Sequence, residues 1–230
     1  MAKKQVCKFM KTLYKEGLIA PYDGNVSFKP KYKNTLYLSP GLVEKHKLKS
    51  KMICEIKIIK PHEYLDFDKS NVYNTLFYND HTYVSLINDI YKPSGELEIH
   101  TNLANLLHPL PNEPDDKDII IIHCHPPNIL AYMGLEPDNY HELNTIKTFF
   151  PEMPNFIRIA PNVKHIKART KDLATAILDK MDGYNIIGLE NHGIVCVAED
   201  FETGLNIIKT VEFYCSSALK YFNCNNSILN

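Results

Sequence analysis

The chain has 230 residues, 44% of them hydrophobic and 23% charged. That size and balance fit one globular domain and exclude a disordered, collagen-like or coiled-coil chain. With 26 Lys plus Arg against 27 Asp plus Glu, the net charge is −1, which offers no bulk attraction to nucleic acid or to a membrane surface.

Val6, Phe9, Met10 and Leu13 recur at helical spacing, and Gly17 is placed to stop that helix. Asn25 to Phe28, after Asp23-Gly24, and Thr35 to Leu38, before Ser39-Pro40-Gly41, read as strands with tight turns. Ile53 to Ile59 is apolar and β-branched, hence another strand. Residues 60–92, rich in Tyr, Asn and Asp without a clean period, read as a surface insertion with some short structure. Ser94 or Gly95 opens a helix whose Ile99, Leu103, Leu106 and Leu107 share a face, and 109–116 is a loop by composition. Asp118-Ile-Ile-Ile-Ile-His-Cys-His is a buried strand stopped by Pro126-Pro127. A short helix follows, then a loop, a helix at about 142–149 and a strand at 156–159. Leu173, Ile177 and Met181 lie on a helix capped by Thr170 and ended by Gly183. Strands at 185–190 and 193–198 flank Asn191-His192, and Leu205, Ile208, Val211, Cys215, Leu219 and Phe222 make a long last helix. Mixed helices and strands without strict βαβ alternation predict a mostly antiparallel sheet with helices on its faces, in one domain over residues 1–230.

Six cysteines without CxxC spacing, in a domain large enough to need no staples, read as reduced thiols of a cytoplasmic protein. The N-terminus leads into an amphipathic stretch, not an apolar signal core, and no apolar run approaches the roughly 20 residues that span a bilayer. Arg158 and Arg169 are the two arginines, so a bidentate clamp on phosphate has few candidates.

The strongest local signal is His123-Cys124-His125. On a strand, residues i and i+2 point to one side, so both imidazoles can reach one metal while Cys124 faces away. Two histidines that merely share a strand end are the alternative. His192, in Glu190-Asn191-His192-Gly193, is a turn histidine or the third ligand of a three-histidine site with an open position; Gly193 there suits a tight turn or a close backbone approach. Glu96 and His100 share a helix face, and Glu96 is either a helix-start carboxylate favoured by the dipole or a functional one. The other histidines (46, 62, 81, 108, 141, 165) lack a spacing partner and read as surface. Gly24-Asn25-Val26-Ser27 and Ser39-Pro40-Gly41 are turn signals that could also cradle an anion. GxGxxG, HExxH and PCxxC patterns are absent.

Taken in order, Gly24-Asn25-Val26-Ser27, Ser39-Pro40-Gly41, Pro93-Ser94-Gly95-Glu96 with His100, His123-Cys124-His125 and Asn191-His192-Gly193 resemble the class II aldolase/adducin family over about residues 5–220. The resemblance implies an α/β/α sandwich around a mostly antiparallel sheet, a homo-oligomer (often a tetramer with active sites between subunits) and one Zn2+ held by His123, His125 and His192. It implies Glu96 as the acid/base, and a substrate phosphate held by Gly24, Asn25, Ser39, Gly41, Ser94 and Gly95. Three departures stand out. Gly95 replaces the second of two serines common before the acid, Tyr22 replaces a Thr or Ser, and the Ser39–Gly41 turn is one residue short.

The implied reaction is retro-aldol cleavage of a ketose 1-phosphate to dihydroxyacetone phosphate and an aldehyde. A second group must exchange a proton at the aldehyde oxygen, with Tyr140, Tyr214 and Tyr221 as candidates. The same family includes pentulose-phosphate 4-epimerases, which tend to carry Asp where Glu96 stands, and dehydratases and decarboxylases. It also includes non-enzymatic adducin-like interaction domains, which lack the zinc histidines.

Overall fold

In the computed structural model, residues 1–59, 75–78, 82–86, 91–106, 116–135 and 141–228 are described. Nine strands form one sheet in the order β4-β5-β3-β2-β1-β6-β9-β8-β7. The strands are β1 (Asn25–Lys29), β2 (Thr35–Leu38), β3 (Cys54–Ile59), β4 (Thr75–Tyr78), β5 (Thr82–Leu86), β6 (Ile119–Cys124), β7 (Ile159–Val163), β8 (Ile186–Leu189) and β9 (Gly193–Ala198). Every ladder is antiparallel except β7–β8. The helices are α1 (Ala2–Lys15), α2 (Leu97–Leu106), α3 (Pro127–Met133), α4 (Ile146–Phe149), α5 (Lys171–Met181) and α6 (Phe201–Ile228).

Side-chain alternation splits the sheet between two cores. Ile120, Ile122 and Cys124 of β6 join Val26 and Phe28 of β1 in a cluster with Val6, Met10 and Leu13 of α1, Ile129 of α3 and Ile208 and Val211 of α6. Ile119 and Ile121 enter a second cluster with Ile99 and Leu103 of α2 and Leu173 and Ile177 of α5. The molecule is thus the α/β/α sandwich that was expected, with α1, α3 and α6 on one face and α2 and α5 on the other. Asn25 pairs with His123 across the β1–β6 ladder. With the even-numbered residues of β6 in the first core, His123 faces the α2 side along with Asn25 and Ser27 of β1.

Several local expectations need correcting. Within 60–92, β5 extends the sheet by pairing onto β3 and β4 by pairing onto β5; the rest of that segment up to residue 90 lies outside the described residues, as do His62, His81, His108 and 109–115. The strand expected at 156–159 begins at Ile159, because its partner β8 starts at Ile186 and pairs with it there. Upstream, the Asn185 side chain brackets the chain instead, accepting from Arg158 N–H and donating to Phe156 O. The helix expected at 142–149 is a 3-10 turn over Leu143–Thr145 followed by the single turn of α4. Glu142 and Leu143 are tied to Asn162 by hydrogen bonds of 2.7 and 3.0 Å, which holds the chain off a continuous helical path. Helix α2 opens at Leu97, two or three residues later than read. His141 is partly buried with its ring 4.7 Å from that of Tyr132, so it is not a surface histidine. Cys7, Cys54, Cys124, Cys196 and Cys215 are buried thiols outside any disulfide, and among the described residues no helix is long and apolar enough to cross a membrane.

Candidate metal centre and acid/base site

The site forms where β1 begins and β6 ends, on the α2 face. His123 is the last inward residue of β6, and His125 follows as the strand leaves the sheet, its N–H donating to Leu18 O. His192 arrives from the β8–β9 turn, where Asn191 takes φ 56°. Gly193 permits that approach, since a Cβ there would run into His125 Cδ2 and lie 2.6 Å from Cys124 O. One donor atom from each of His123, His125 and His192 lies within 4.8 Å of the others.

The ring nitrogens are assigned by their partners. His123 Nδ1–H donates to Ile194 O at 2.9 Å, and His125 Nδ1–H donates to the Asp23 carboxylate at 2.9 Å. That turns both Nε2 atoms toward the site, where they face each other at 3.0 Å. Glu96 Oε2 lies 3.2 Å from His123 Nε2, and Glu96 Oε1 lies 3.2 Å from His192 Nε2. His192 Nδ1 is buried with no hydrogen-bond partner among the described residues. Burial pushes His123 down to about 4, against the pull of Glu96, so His123 carries no second proton at neutral pH. Lone pairs converging without hydrogens are relieved by a cation, and three imidazoles beside a carboxylate suit a divalent transition metal. The residues present therefore fit a metal ion.

Glu96 stands in the turn before α2, where its N–H donates to Ser94 Oγ. It is buried, and burial alone would raise its pKa. The neighbouring His123, then hydrogen bonds from His192 and Asn25, overcome that and hold it well below the usual carboxylate range. Asn25 bridges Glu96 and His100, donating Nδ2–H to Glu96 Oε2 at 2.9 Å and accepting from His100 Nε2; the other nitrogen of His100 meets Ser27 Oγ at 2.7 Å. Burial holds His100 down at about 3, although Glu96 opposes it. A neutral, fully engaged His100 thus fixes Asn25, and Asn25 fixes Glu96.

A cleft of about 320 Å³ opens over these groups. Its lining includes Gly24, Asn25, Gly41, Ser94, Gly95, Glu96, His123, His125 and His192, so among the metal, acid/base and phosphate residues that the resemblance implies, taken together with Tyr140, all but two border one space. Ser39 is one of the two: it is buried, with its hydroxyl accepting from Val26 N–H and its own N–H donating to Val26 O. Tyr140, the other, lies outside the described residues. Tyr214 packs on Phe150 at 5.0 Å and Tyr221 is exposed, and neither borders the cleft. Sequence reading missed Asp23 as the partner of His125, Lys45 in the cleft wall and Asn25 as the bridge; of the two arginines it noted, Arg169 borders the cleft. A carboxylate directly before the Gly24-Asn25 turn was the available signal for the first. A larger hollow of about 610 Å³ lies at the opposite end of β6, bordered by Asp118, Ile119 and Ala198, and holds none of the histidine cluster.

An inward three-histidine cluster beside a buried carboxylate, on a mostly antiparallel α/β/α sandwich, could hold a metal ion. Residues 4–219 match the model of the class II aldolase and adducin N-terminal domain, and the chain belongs to that family. No curated protein matches it. Among solved structures it is similar to an L-fuculose 1-phosphate aldolase, at 19% identity and TM-score 0.65, covering 96% of this chain and 86% of the other. It is also similar to a sugar-phosphate aldolase from Thermotoga maritima, at 17% identity and TM-score 0.69, covering 97% and 95%. An L-fuculose-1-phosphate aldolase from Thermus thermophilus aligns at 13% identity and TM-score 0.63, covering 98% and 96%. At these identities the likeness shows a shared fold.

Proposed function

We propose that this chain is a zinc-dependent sugar-phosphate aldolase that cleaves a ketose 1-phosphate to dihydroxyacetone phosphate and an aldehyde. The observation that carries the proposal is Glu96, a buried carboxylate 3.2 Å from two of three converging histidines and open to the cleft. His123, His125 and His192 would hold the ion, which when bound supplies Lewis-acid polarisation of the substrate carbonyl.

The chain's own groups then account for the proton traffic. In cleavage the C4 hydroxyl proton passes by way of Tyr140 to the ionised Glu96, the C3–C4 bond breaks with its electron pair staying on C3, and Glu96 delivers that proton to C3. In synthesis Glu96, ionised because His123, His192 and Asn25 outweigh the cost of its burial, removes the same proton. Asn25 holds one carboxylate oxygen through its amide N–H, which aims the other edge at the cleft. Tyr140 remains the proposed partner for the C4 hydroxyl proton. The phosphate would lie toward Gly24, Gly41, Ser94 and Gly95 on the cleft wall. We further propose a cytoplasmic homotetramer acting as a single domain over residues 1–230.

Metal-loaded protein should be screened against ketose 1-phosphates with coupled detection of dihydroxyacetone phosphate, and in parallel for pentulose-phosphate 4-epimerisation. Dihydroxyacetone phosphate release that is lost with chelator and restored by zinc supports the proposal. Epimerisation without cleavage replaces it with the epimerase reading, which the length of Glu96 at this position disfavours.

A further inference from the structure

The Ser39–Gly41 turn offers an anion little from its backbone. Ser39 N–H donates to Val26 O and Gly41 N–H to Lys92 O, so both are spent within the fold. The positive charge on this wall comes from side chains. Lys45 is buried with its ammonium donating to Pro40 O at 3.0 Å, and Arg169 borders the same cleft.

Arg169 is placed in an unusual way. Its backbone sits at φ 63°, a conformation in which glycine is easy and a long side chain is strained. Its methylenes run directly over Gly95: a Cβ at position 95 would lie 2.7 Å from Arg169 Cδ and 3.2 Å from Cγ and Nε. Position 95 therefore lacks a side chain where Arg169 has one, and Arg169 keeps a side chain where its backbone favours none. Among the described residues no carboxylate pairs with its guanidinium, so folding does not use that charge.

We infer that Arg169, seated on Gly95, is the specificity residue that receives the phosphate monoester of the substrate. The inference rests on the proposed sugar-phosphate reading. A guanidinium offers paired N–H donors that match phosphate oxygens bidentately. It would supply what a serine hydroxyl at position 95 could not: a full charge from the same wall. Lys45, which burial holds at about 8, adds to the positive field there.

The test is calorimetric titration of inorganic phosphate into the full chain, both metal-loaded and chelator-treated, with thermal melts alongside. Arg169→Gly should weaken phosphate by about tenfold or more while its melting temperature stays level or rises, because glycine suits the backbone. Arg169→Lys should fall between, retaining charge without the fork. Gly95→Ser should also weaken phosphate by unseating Arg169, and adding Arg169→Gly to it should cost nothing further. Phosphate affinity within about twofold of wild type in Arg169→Gly overturns the inference, as does wild type that binds no phosphate. Independent losses that multiply in the double variant overturn the Gly95–Arg169 pairing. Because phosphate binding is read without turnover, Arg169-dependent binding in a protein that cleaves no ketose 1-phosphate would refute the aldolase reading and leave the subsite standing. Cleavage with Arg169-independent KM and phosphate binding would do the reverse.

Discussion

Glu96→Gln separates proton transfer from folding and metal binding at one site. Glu96 Oε2 accepts from Asn25 at 2.9 Å and lies 3.2 Å from the bare Nε2 of His123, while Oε1 lies 3.2 Å from His192. A glutamine oxygen in the Oε2 position still accepts from Asn25, and the amide N–H2 in the Oε1 position can donate to His192 once that ring, which donates to Glu96 in the native protein, moves its proton to Nδ1. Every partner stays satisfied, and what is lost is charge assistance, the difference between a net of about 1.5–3 kcal/mol for an ionic hydrogen bond and about 0.5–1.5 for a neutral one. Stability should therefore change by about 1–2 kcal/mol, and the three imidazoles are untouched. Removing a positioned acid/base typically costs about 10²–10⁴ in rate, or about 3–5 kcal/mol at about 1.36 kcal/mol per decade. Turnover should fall by that factor in a protein with wild-type zinc content by elemental analysis and a near-native melt. Turnover within about tenfold of wild type at saturating zinc would remove Glu96 from the mechanism. Loss of zinc in step with activity would make Glu96 a ligand instead of the acid/base.

Three further expectations follow from the same geometry. Asp23→Asn cannot accept from both Ala20 N–H and His125 Nδ1–H, bonds of 2.6 and 2.9 Å in the native protein. Metal affinity measured by chelator competition should fall about 10–100-fold, and unchanged affinity would mean that His125 needs no orienting partner. Gly193→Ala drives a Cβ into His125 Cδ2 and to 2.6 Å from Cys124 O, which should destabilise the fold by about 1–3 kcal/mol in urea melts and loosen metal binding; a wild-type urea midpoint would show that the turn can yield. For metal-free protein, burial lowers His123 to about 4 and His100 to about 3. The unfolded chain binds those protons first as pH drops below about 6.5, so stability is full above that value and declines from there toward pH 4. With both residues engaged, the slope should approach about 2.7 kcal/mol per pH unit. A flat urea midpoint between pH 7 and pH 5 would contradict the buried, neutral assignment.

Periodicity is a local property, and what it governs was legible in the residues alone. Alternation along Ile119 to His125 put His123 and His125 on one side and Cys124 on the other. The structure sends Cys124 into the core under α1, α3 and α6 and turns His123 toward the α2 side with Ile119 and Ile121. The helical spacing of Leu173, Ile177 and Met181 and the Thr170 cap reappear in α5, with Leu173 N–H donating to Thr170 Oγ1. The order of short motifs pointed to the family. Strand ends that depend on a distant partner were not legible, which is why β7 starts at Ile159 and β4–β5 join the sheet. Side-chain pairs across long separations were equally hidden: Asp23 with His125, Asn25 between Glu96 and His100, and the Arg169 methylenes over Gly95. Beyond the carboxylate directly before the Gly24-Asn25 turn, nothing in the local sequence of either partner encodes such a meeting. It exists only once the sheet order brings the start of β1, the end of β6 and the loops before α2 and α5 to one edge, where packing fixes distances that spacing along the chain cannot.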